Sequence, residues 1–212
     1  MIDVIREIDA VHREVDNGRL AAGAAHVVRL SRTYAAPIDD VWDALTDPER
    51  IGRWFLPISG DYRLGGSYQF EGNAGGTILE CDKPNRLRVT WVFGPPDAPA
   101  SEVELRLTPQ GDDATTFLLE HTAIVPDEMW DQYGPGAVGV GWEGGLLGLE
   151  LHLQGGTVGD PIEWQVGPEG RDFNTRASEA WGEASRAAGV DETTVARNVE
   201  QTTAFSVASD PA

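Results

Sequence analysis

The fold is decided by residues 32–70, which read RTYAAPIDDVWDALTDPERIGRWFLPISGDYRLGGSYQF. This order predicts a strand, two short helices and the restart of a strand. Pro37 is suited to the start of the first helix, because its missing N–H would have no partner there in any case. Asp47-Pro48 separates the two helices, since a residue before proline avoids the α region. Pro57 then blocks continuation of the second helix beyond its apolar end at Trp54.

Runs of alternating apolar and polar residues follow this stretch and predict antiparallel strands with one covered face. They span residues 66–72, 77–81, 86–93, 102–108 and 115–121, and residues 26–34 form an earlier strand. A sheet of this kind needs a helix against its apolar face. Residues 137–153 are predicted to form that helix, because their apolar residues recur at helical spacing. The sequence therefore predicts an α+β fold.

The predicted helix at 137–153 is apolar on two sides. One stripe contains Val138, Trp142, Leu146, Leu149 and Leu153, and the opposite side contains Val140, Leu147 and Leu151. The first stripe can pack on the sheet, while the second needs another partner, which the C-terminal extension can provide. Five glycines in this helix each cost about 1 kcal/mol relative to alanine. Either close backbone packing or room for a bound molecule could offset this cost, and both explanations remain open.

The two ends of the chain are predicted to add helices to a central domain. Residues 2–16 have the spacing of an amphipathic helix, and Asn17-Gly18 follows as a stop signal. Residues 173–188 predict another helix, Asp191 is suited to cap a last one, and residues 157–170 and 206–212 have the character of a loop and a loose tail. We therefore divide the chain into an N-terminal helix (1–25), a central domain (26–154) and a C-terminal helical extension packed on it (155–212).

Composition and charge exclude several classes of function. The 212 residues carry 35 acidic and 16 basic side chains, a net charge of −19, without the basic clusters that bind nucleic acid or anionic membranes. No apolar run approaches the roughly 20 residues that span a bilayer, and the charged N-terminus lacks the apolar core of a signal peptide. Cys81 is the only cysteine, so no internal disulfide can form, and we interpret it as an inert strand residue. We expect an acidic, cytoplasmic protein without nucleic-acid partners or membrane insertion.

Motifs of common catalytic and metal sites are missing from the sequence. It contains no GxSxG, P-loop, HExxH or CxxC, and its histidines lack metal-ligand spacing, so we expect neither a metal nor a cofactor. His121 continues the inward parity of Phe117 and Leu119. It is either a hydrogen-bonded core histidine or a group that binds or deprotonates a ligand. Glu143 and Glu150 lie two turns apart on the long helix, either as solvated side chains or as carboxylates for acid–base chemistry.

Four motifs make the chain resemble the SRPBCC (START-like) superfamily. They read AAPIDDVWDALTDPERIGRWF (35–55), LGGSYQF (64–70), GGTILECDKPNRLRVTW (75–91) and TTFLLEHTAIV (115–125). Within that superfamily the chain is similar to homologues of the activator of heat-shock protein 90 ATPase, in a form common in actinobacteria. One scaffold serves lipid carriers, cyclases, stress-response proteins and co-chaperone domains there, so the resemblance specifies fold better than function.

The resemblance implies a helix-grip (START/Bet v-like) fold, in which a curved antiparallel sheet wraps around the long C-terminal helix. Between them would lie a cavity of the kind that many relatives use for hydrophobic ligands. The wall of that cavity would contain Trp54, Tyr68, Phe70, Trp91, Phe93, Phe117, His121, Trp142, Leu146 and Leu149. The extension 155–212 lies beyond the common domain and would either cover the cavity or build a homodimer.

Three functions compete at this point. The leading hypothesis is non-enzymatic binding of a small hydrophobic molecule, because aromatic residues are many and a catalytic constellation is missing. A polyketide-cyclase- or hydrolase-like enzyme would use His121 and Glu150, provided that both side chains converge on one pocket. A co-chaperone-like or regulatory interaction module would instead present an exposed apolar patch.

Overall fold

The computed structural model describes residues 2–94 and 100–207. Within these ranges the helices are Val4–Asp9 (α1), Ile38–Thr46 (α2), Pro48–Trp54 (α3), Asp127–Tyr133 (α4), Gly136–Leu153 (α5), Pro161–Val166 (α6), Pro168–Ala187 (α7) and Glu192–Val207 (α8). The strands are His12–Leu20 (β1), Gly23–Tyr34 (β2), Ile58–Gly60 (β3), Ser67–Phe70 (β4), Gly75–Asp82 (β5), Arg86–Thr90 (β6), Ser101–Pro109 (β7) and Thr115–Ala123 (β8). They form a sheet in the order β1-β2-β8-β7-β6-β5-β4-β3.

Neighbouring strands of the sheet are antiparallel, as the alternating pattern predicts. Leu105 of β7 pairs with Leu87 of β6 on one side and with Leu119 of β8 on the other. Directly paired residues point to the same face, so these leucines cover one face with apolar surface. A register shift between Ile78 and Glu80 interrupts the pairing of β5 with β6, and such irregularities bend a strand.

Helix α5 lies across the apolar face of this sheet. The Tyr34 hydroxyl of β2 donates a hydrogen bond to the Leu146 carbonyl at 3.2 Å. The Trp142 indole N–H donates to His121 of β8 at 3.1 Å. Both bonds join the predicted inner stripe of the helix to the sheet. The helix-grip α+β fold is therefore confirmed.

The opposite side of α5 is covered by the C-terminal extension. Gly139 lies directly against the Trp181 indole of α7, and Gly136 lies against Thr202 of α8. A Cβ atom added at either glycine would overlap its neighbour. Leu147 on this side is also buried. The prediction that α5 is covered on two sides is confirmed, and close packing explains these two glycines.

The predicted helix over residues 2–16 is wrong in its second half. Only α1 is helical there, and β1 follows it and pairs with β2 along its whole length. Val11 and Val15 fit either structure, since residues four apart share a face in a helix and in a strand. Gly18 lies inside β1 instead of ending a helix, where an added Cβ would come within 2.6 Å of Val27 Cγ2. Residues 1–25 are therefore not a helical unit, because the sheet includes part of them.

The C-terminal extension is helical, as predicted, although its helices have other bounds. Helix α7 begins at Pro168 instead of residue 173, and α6 occupies part of the predicted loop, where Asp160 accepts hydrogen bonds from the first turn. Helix α4 has no counterpart among the elements predicted from the sequence. Asp191 caps α8 as predicted, with its carboxylate accepting the Thr194 N–H at 3.1 Å. Helix α8 includes residues 206 and 207 of the predicted loose tail, and residues 208–212 lie outside the described residues. Across the described ranges, no helix has the length and apolar character required to cross a membrane.

Candidate functional site

An apolar cavity of about 200 Å³ lies between the sheet, the helix pair α2–α3 and helix α5. Strands β3 to β8 each contribute side chains to it. Helix α5 contributes Trp142, Leu146 and Leu149 of its inner stripe together with Gly145. An added Cβ at Gly145 would meet only Phe55, at 3.9 Å. This glycine therefore borders open space, unlike the tightly packed glycines on the outer side of the helix.

Eight of the ten residues predicted for the cavity wall line it, namely Trp54, Tyr68, Phe70, Trp91, Phe117, Trp142, Leu146 and Leu149. Their role in ligand binding stays a prediction. Phe93 is misplaced by the sequence analysis, since its side chain is 67% exposed and outside the wall. The regular strand β6 ends at Thr90, so strand parity no longer decides where Phe93 points. His121 is also outside the wall and contacts Trp142 instead.

Aromatic rings contact one another in a continuous series along the wall. Trp54 ends α3 and contacts Phe55, with 5.6 Å between ring centroids. Phe55 meets Phe70 edge-on at 5.0 Å, Phe70 contacts Trp91 at 5.7 Å, and Trp91 contacts Trp142 at 4.9 Å. Tilted and edge-on contacts of this kind are favourable for aromatic pairs. The series therefore holds the wall in shape from α3 to α5.

The polar atoms of Trp54, Tyr68 and Trp142 are bonded within the protein. The Trp54 indole N–H donates to the Ala44 carbonyl at 2.9 Å, and the Tyr68 hydroxyl donates to the Thr90 carbonyl at 2.7 Å. Burial raises the pKa of Tyr68, so its hydroxyl keeps the proton that it donates. The wall consequently presents mostly ring surfaces and aliphatic groups to anything inside the cavity.

The cavity opens to solvent beside the loop between β3 and β4. Tyr62, Arg63 and Leu64 of this loop and Cys81 of β5 line the cavity and are also exposed. Arg63 is the charged member of the wall, and it pairs with Asp61 at 2.6 Å. None of these residues is among the wall residues predicted from the sequence. Tyr62 and Leu64 are large apolar side chains in a loop that contains glycines, where no strand can bury them. This sequence pattern could have indicated the opening.

His121 is neutral, and both of its ring nitrogens are engaged. Nδ1 accepts the indole N–H of Trp142, and an indole nitrogen can only donate, so the proton of the neutral imidazole is on Nε2. Nε2 lies 2.5 Å from the Ser101 hydroxyl oxygen and donates to it. Burial lowers the pKa of His121 to about 4. A catalytic serine–histidine pair needs the opposite polarity, with the imidazole accepting the serine proton. His121 is therefore arranged as a hydrogen-bonded core residue.

Glu143 and Glu150 are buried and paired with arginines, so they are not solvated side chains. Glu143 accepts hydrogen bonds from Nε and Nη2 of Arg13, both at 2.7 Å. Glu150 lies 3.2 Å from Arg32 Nη2. Both glutamates lie outside the cavity wall, and their partners come from β1 and β2. The structure therefore does not bring Glu150 and His121 together around one pocket, which the enzyme hypothesis requires.

Residues 35–154 match the model of a family described as Activator of Hsp90 ATPase homolog 1-like protein. The crystal structure of CalU16 from Micromonospora echinospora is 37% identical to this chain, covers 84% of it and 99% of CalU16, and has a TM-score of 0.67. The solution NMR structure of CalU16 gives 38% identity, coverage of 84% and 96%, and a TM-score of 0.69. A comparison with functionally curated proteins gave no significant match.

Two more distant structures share the fold over 60% of this chain. DynU16, described as a putative protein in the dynemicin biosynthetic locus, is 26% identical, is covered over 47% of its length and has a TM-score of 0.51. PFC0360w, an HSP90 activator from Plasmodium falciparum, is 21% identical, is covered over 96% of its length and has a TM-score of 0.54. The last likeness shows a common fold alone.

Proposed function

Since this chain belongs to the Activator of Hsp90 ATPase homolog 1-like family and holds an apolar cavity between its sheet and α5, we propose that it binds a small, uncharged hydrophobic molecule there. The chemistry of the wall carries this proposal. Trp54, Tyr68 and Trp142 use their polar atoms for bonds within the protein. An ionised group buried among them would lose its hydration without gaining a partner, which is strongly unfavourable. An uncharged hydrophobic ligand only removes its apolar surface from water and gains apolar contacts with the wall, which is favourable.

The size of the cavity limits what its closed part can hold. An apolar cavity of roughly 150 Å³ can bind benzene, so the volume of about 200 Å³ suits a somewhat larger molecule. A longer ligand can extend toward solvent beside the exposed Tyr62 and Leu64. Its polar end would then lie near Arg63 and not in the closed part. DynU16 is described as belonging to a biosynthetic locus, which supports a biosynthetic small molecule as the class of ligand.

Binding without catalysis is the form of the proposal that the described residues support best. The proton on His121 Nε2 is directed to Ser101, and the carboxylate of Glu150 is directed to Arg32. Neither group borders the cavity, so neither can reach a molecule inside it. The ligand would therefore leave the protein unchanged.

A matched pair of fluorescent probes tests the preference for uncharged ligands. N-phenyl-1-naphthylamine is uncharged, and 8-anilinonaphthalene-1-sulfonate has the same ring skeleton with an added sulfonate. We expect saturable binding of the uncharged probe, with a Kd at least about tenfold lower than that of the anionic probe. Equal affinity for the two probes, or no saturable binding of the uncharged one, would refute the proposal.

Cys81 provides an independent test of where the probe binds. It is the only cysteine of the chain and lies in the wall near the opening, where its thiol is accessible. A bound probe should slow alkylation of this thiol by iodoacetamide, with half-protection at the Kd measured by fluorescence. An unchanged alkylation rate at saturating probe would place the binding site elsewhere.

A further inference from the structure

We propose that His121 is a positioning residue for the cavity, which holds the Trp142 indole in the orientation that forms part of the wall. The consequence for ligand selection rests on the function proposed above. Trp142 lines the cavity, whereas His121 does not. A substitution at His121 therefore affects a bound molecule indirectly, through the position of the indole.

The hydrogen bond to His121 selects the orientation of the indole. The two rings are perpendicular, with an interplanar angle of 90° and centroids 5.7 Å apart, as expected when the indole edge points at the imidazole nitrogen. Trp142 also contacts Trp91 at 4.9 Å, but ring contacts tolerate many angles. The χ2 torsion of tryptophan has broad minima and does not select one orientation by itself. Turning the ring would leave its partly buried N–H without this acceptor, which is unfavourable.

His121 is itself fixed by the sheet. It lies on β8, between Val28 of β2 and Val103 of β7 in the strand register. Its Nε2 donates to the Ser101 hydroxyl, so a second hydrogen bond fixes the ring on the side away from Trp142. A rigid acceptor on a central strand is thus presented to α5. Through this contact the sheet fixes the position of the indole on the side of α5 that faces the cavity.

The first test uses the unaltered protein. Long-range ¹H–¹⁵N NMR spectra of ¹⁵N-labelled protein distinguish a protonated imidazole nitrogen from an unprotonated one. We expect the proton of His121 on Nε2 at neutral pH, with the Trp142 indole N–H protected from exchange with solvent. A proton on Nδ1 would overturn the proposal, because the indole could not then donate to it.

The second test compares two substitutions that differ in one property. His121→Leu removes the acceptor, while His121→Gln keeps a side-chain oxygen that can accept the indole N–H. For N-phenyl-1-naphthylamine, we expect a Kd about tenfold higher for His121→Leu and within about threefold of the original for His121→Gln. The Trp142 indole signal should shift strongly in His121→Leu and slightly in His121→Gln.

A double-mutant cycle with Trp142→Phe identifies the route of the effect. In that background His121→Leu should change the Kd by less than about twofold, since no indole N–H remains to be held. An equal effect in both backgrounds would overturn the proposal. If the unaltered protein binds no probe, the proposed function fails, but the imidazole tautomer and the indole signal still decide whether His121 positions Trp142. The tautomer also decides the question if His121→Leu does not fold.

Discussion

Filling the cavity from Gly145 should stabilise the protein and abolish ligand binding at the same time. Gly145 lies in the wall on α5, and a Cβ added there would have only Phe55 within 4 Å, at 3.9 Å. A leucine at this position would extend into a space of about 200 Å³. Proteins usually lose stability when a side chain is added to a packed core, so a gain would show that this space is open.

The expected gain in stability is the sum of two favourable contributions and one cost. Replacing a glycine in a helix by leucine contributes about 1 kcal/mol to stability through helix propensity. Burying the leucine side chain contributes about 2 kcal/mol, and fixing its rotamer costs about 1 kcal/mol. The free energy of unfolding of Gly145→Leu should therefore rise by about 2 kcal/mol, which corresponds to a Tm about 6 °C higher in a chain of this size. The affinity for N-phenyl-1-naphthylamine should fall at least about tenfold, because the leucine occupies its site.

Gly144→Leu is the matched control. Gly144 neighbours Gly145 in α5, is exposed, and has no heavy atom near an added Cβ. The control should gain only the contribution of helix propensity, about 1 kcal/mol, and keep the probe affinity of the original protein. Urea unfolding and probe titration measure both properties. If Gly145→Leu were stabilised but still bound the probe normally, the ligand would not occupy this cavity, and if it were destabilised the space would be too small.

Three other predictions concern buried groups. The pKa of His121 is lowered to about 4 by burial, against an ordinary value of 6.5, so the unfolded chain binds more protons between these values. Stability should therefore fall by about 3 kcal/mol as the pH is lowered from 7 to below 4, and urea unfolding of His121→Gln should lack this part of the loss. Gly139→Ala should lower the free energy of unfolding by about 2 kcal/mol, because the added methyl overlaps the Trp181 indole, and thermal unfolding that shows a gain would contradict the packing described for α5. Arg13→Leu should cost about 3–5 kcal/mol in urea unfolding, since it leaves the buried Glu143 carboxyl without its cationic partner, and the additional change Glu143→Leu should recover part of this loss.

Helices and strands are predicted correctly from the sequence where several local signals agree. The helix pair α2–α3 follows from two prolines and helical spacing, and the alternation of β6 to β8 follows from their side-chain parity. The same parity places most of the wall residues correctly, because each faces the side of a strand or helix that must be covered. Where the strand β6 ends, parity ceases to apply, and Phe93 is misplaced for that reason.

Elements with ambiguous local signals are decided by distant partners. Val11 and Val15 have a spacing that suits a helix or a strand. The pairing of β1 with β2 places Val15 in a strand, and Val11 directly precedes that strand. The burial of Glu143 depends on Arg13, which is distant in sequence. A pattern of residues does not reveal such a partner, so a helical flank that looks solvated can lie inside the protein.

By itself, the period of apolar residues determines that this chain forms antiparallel strands covered by a long helix, because it decides which faces must be covered. The helix-grip arrangement and the apolar space between sheet and helix follow from the resemblance of its motifs to a known superfamily. Only the tertiary structure decides that Gly145 borders open space while Gly139 is packed tightly, and that His121 faces the edge of Trp142 and not the cavity. The physical reason is that periodicity determines the direction of a side chain relative to its own element. The groups that it meets, and the direction of each hydrogen bond, depend on which other elements pack against that face.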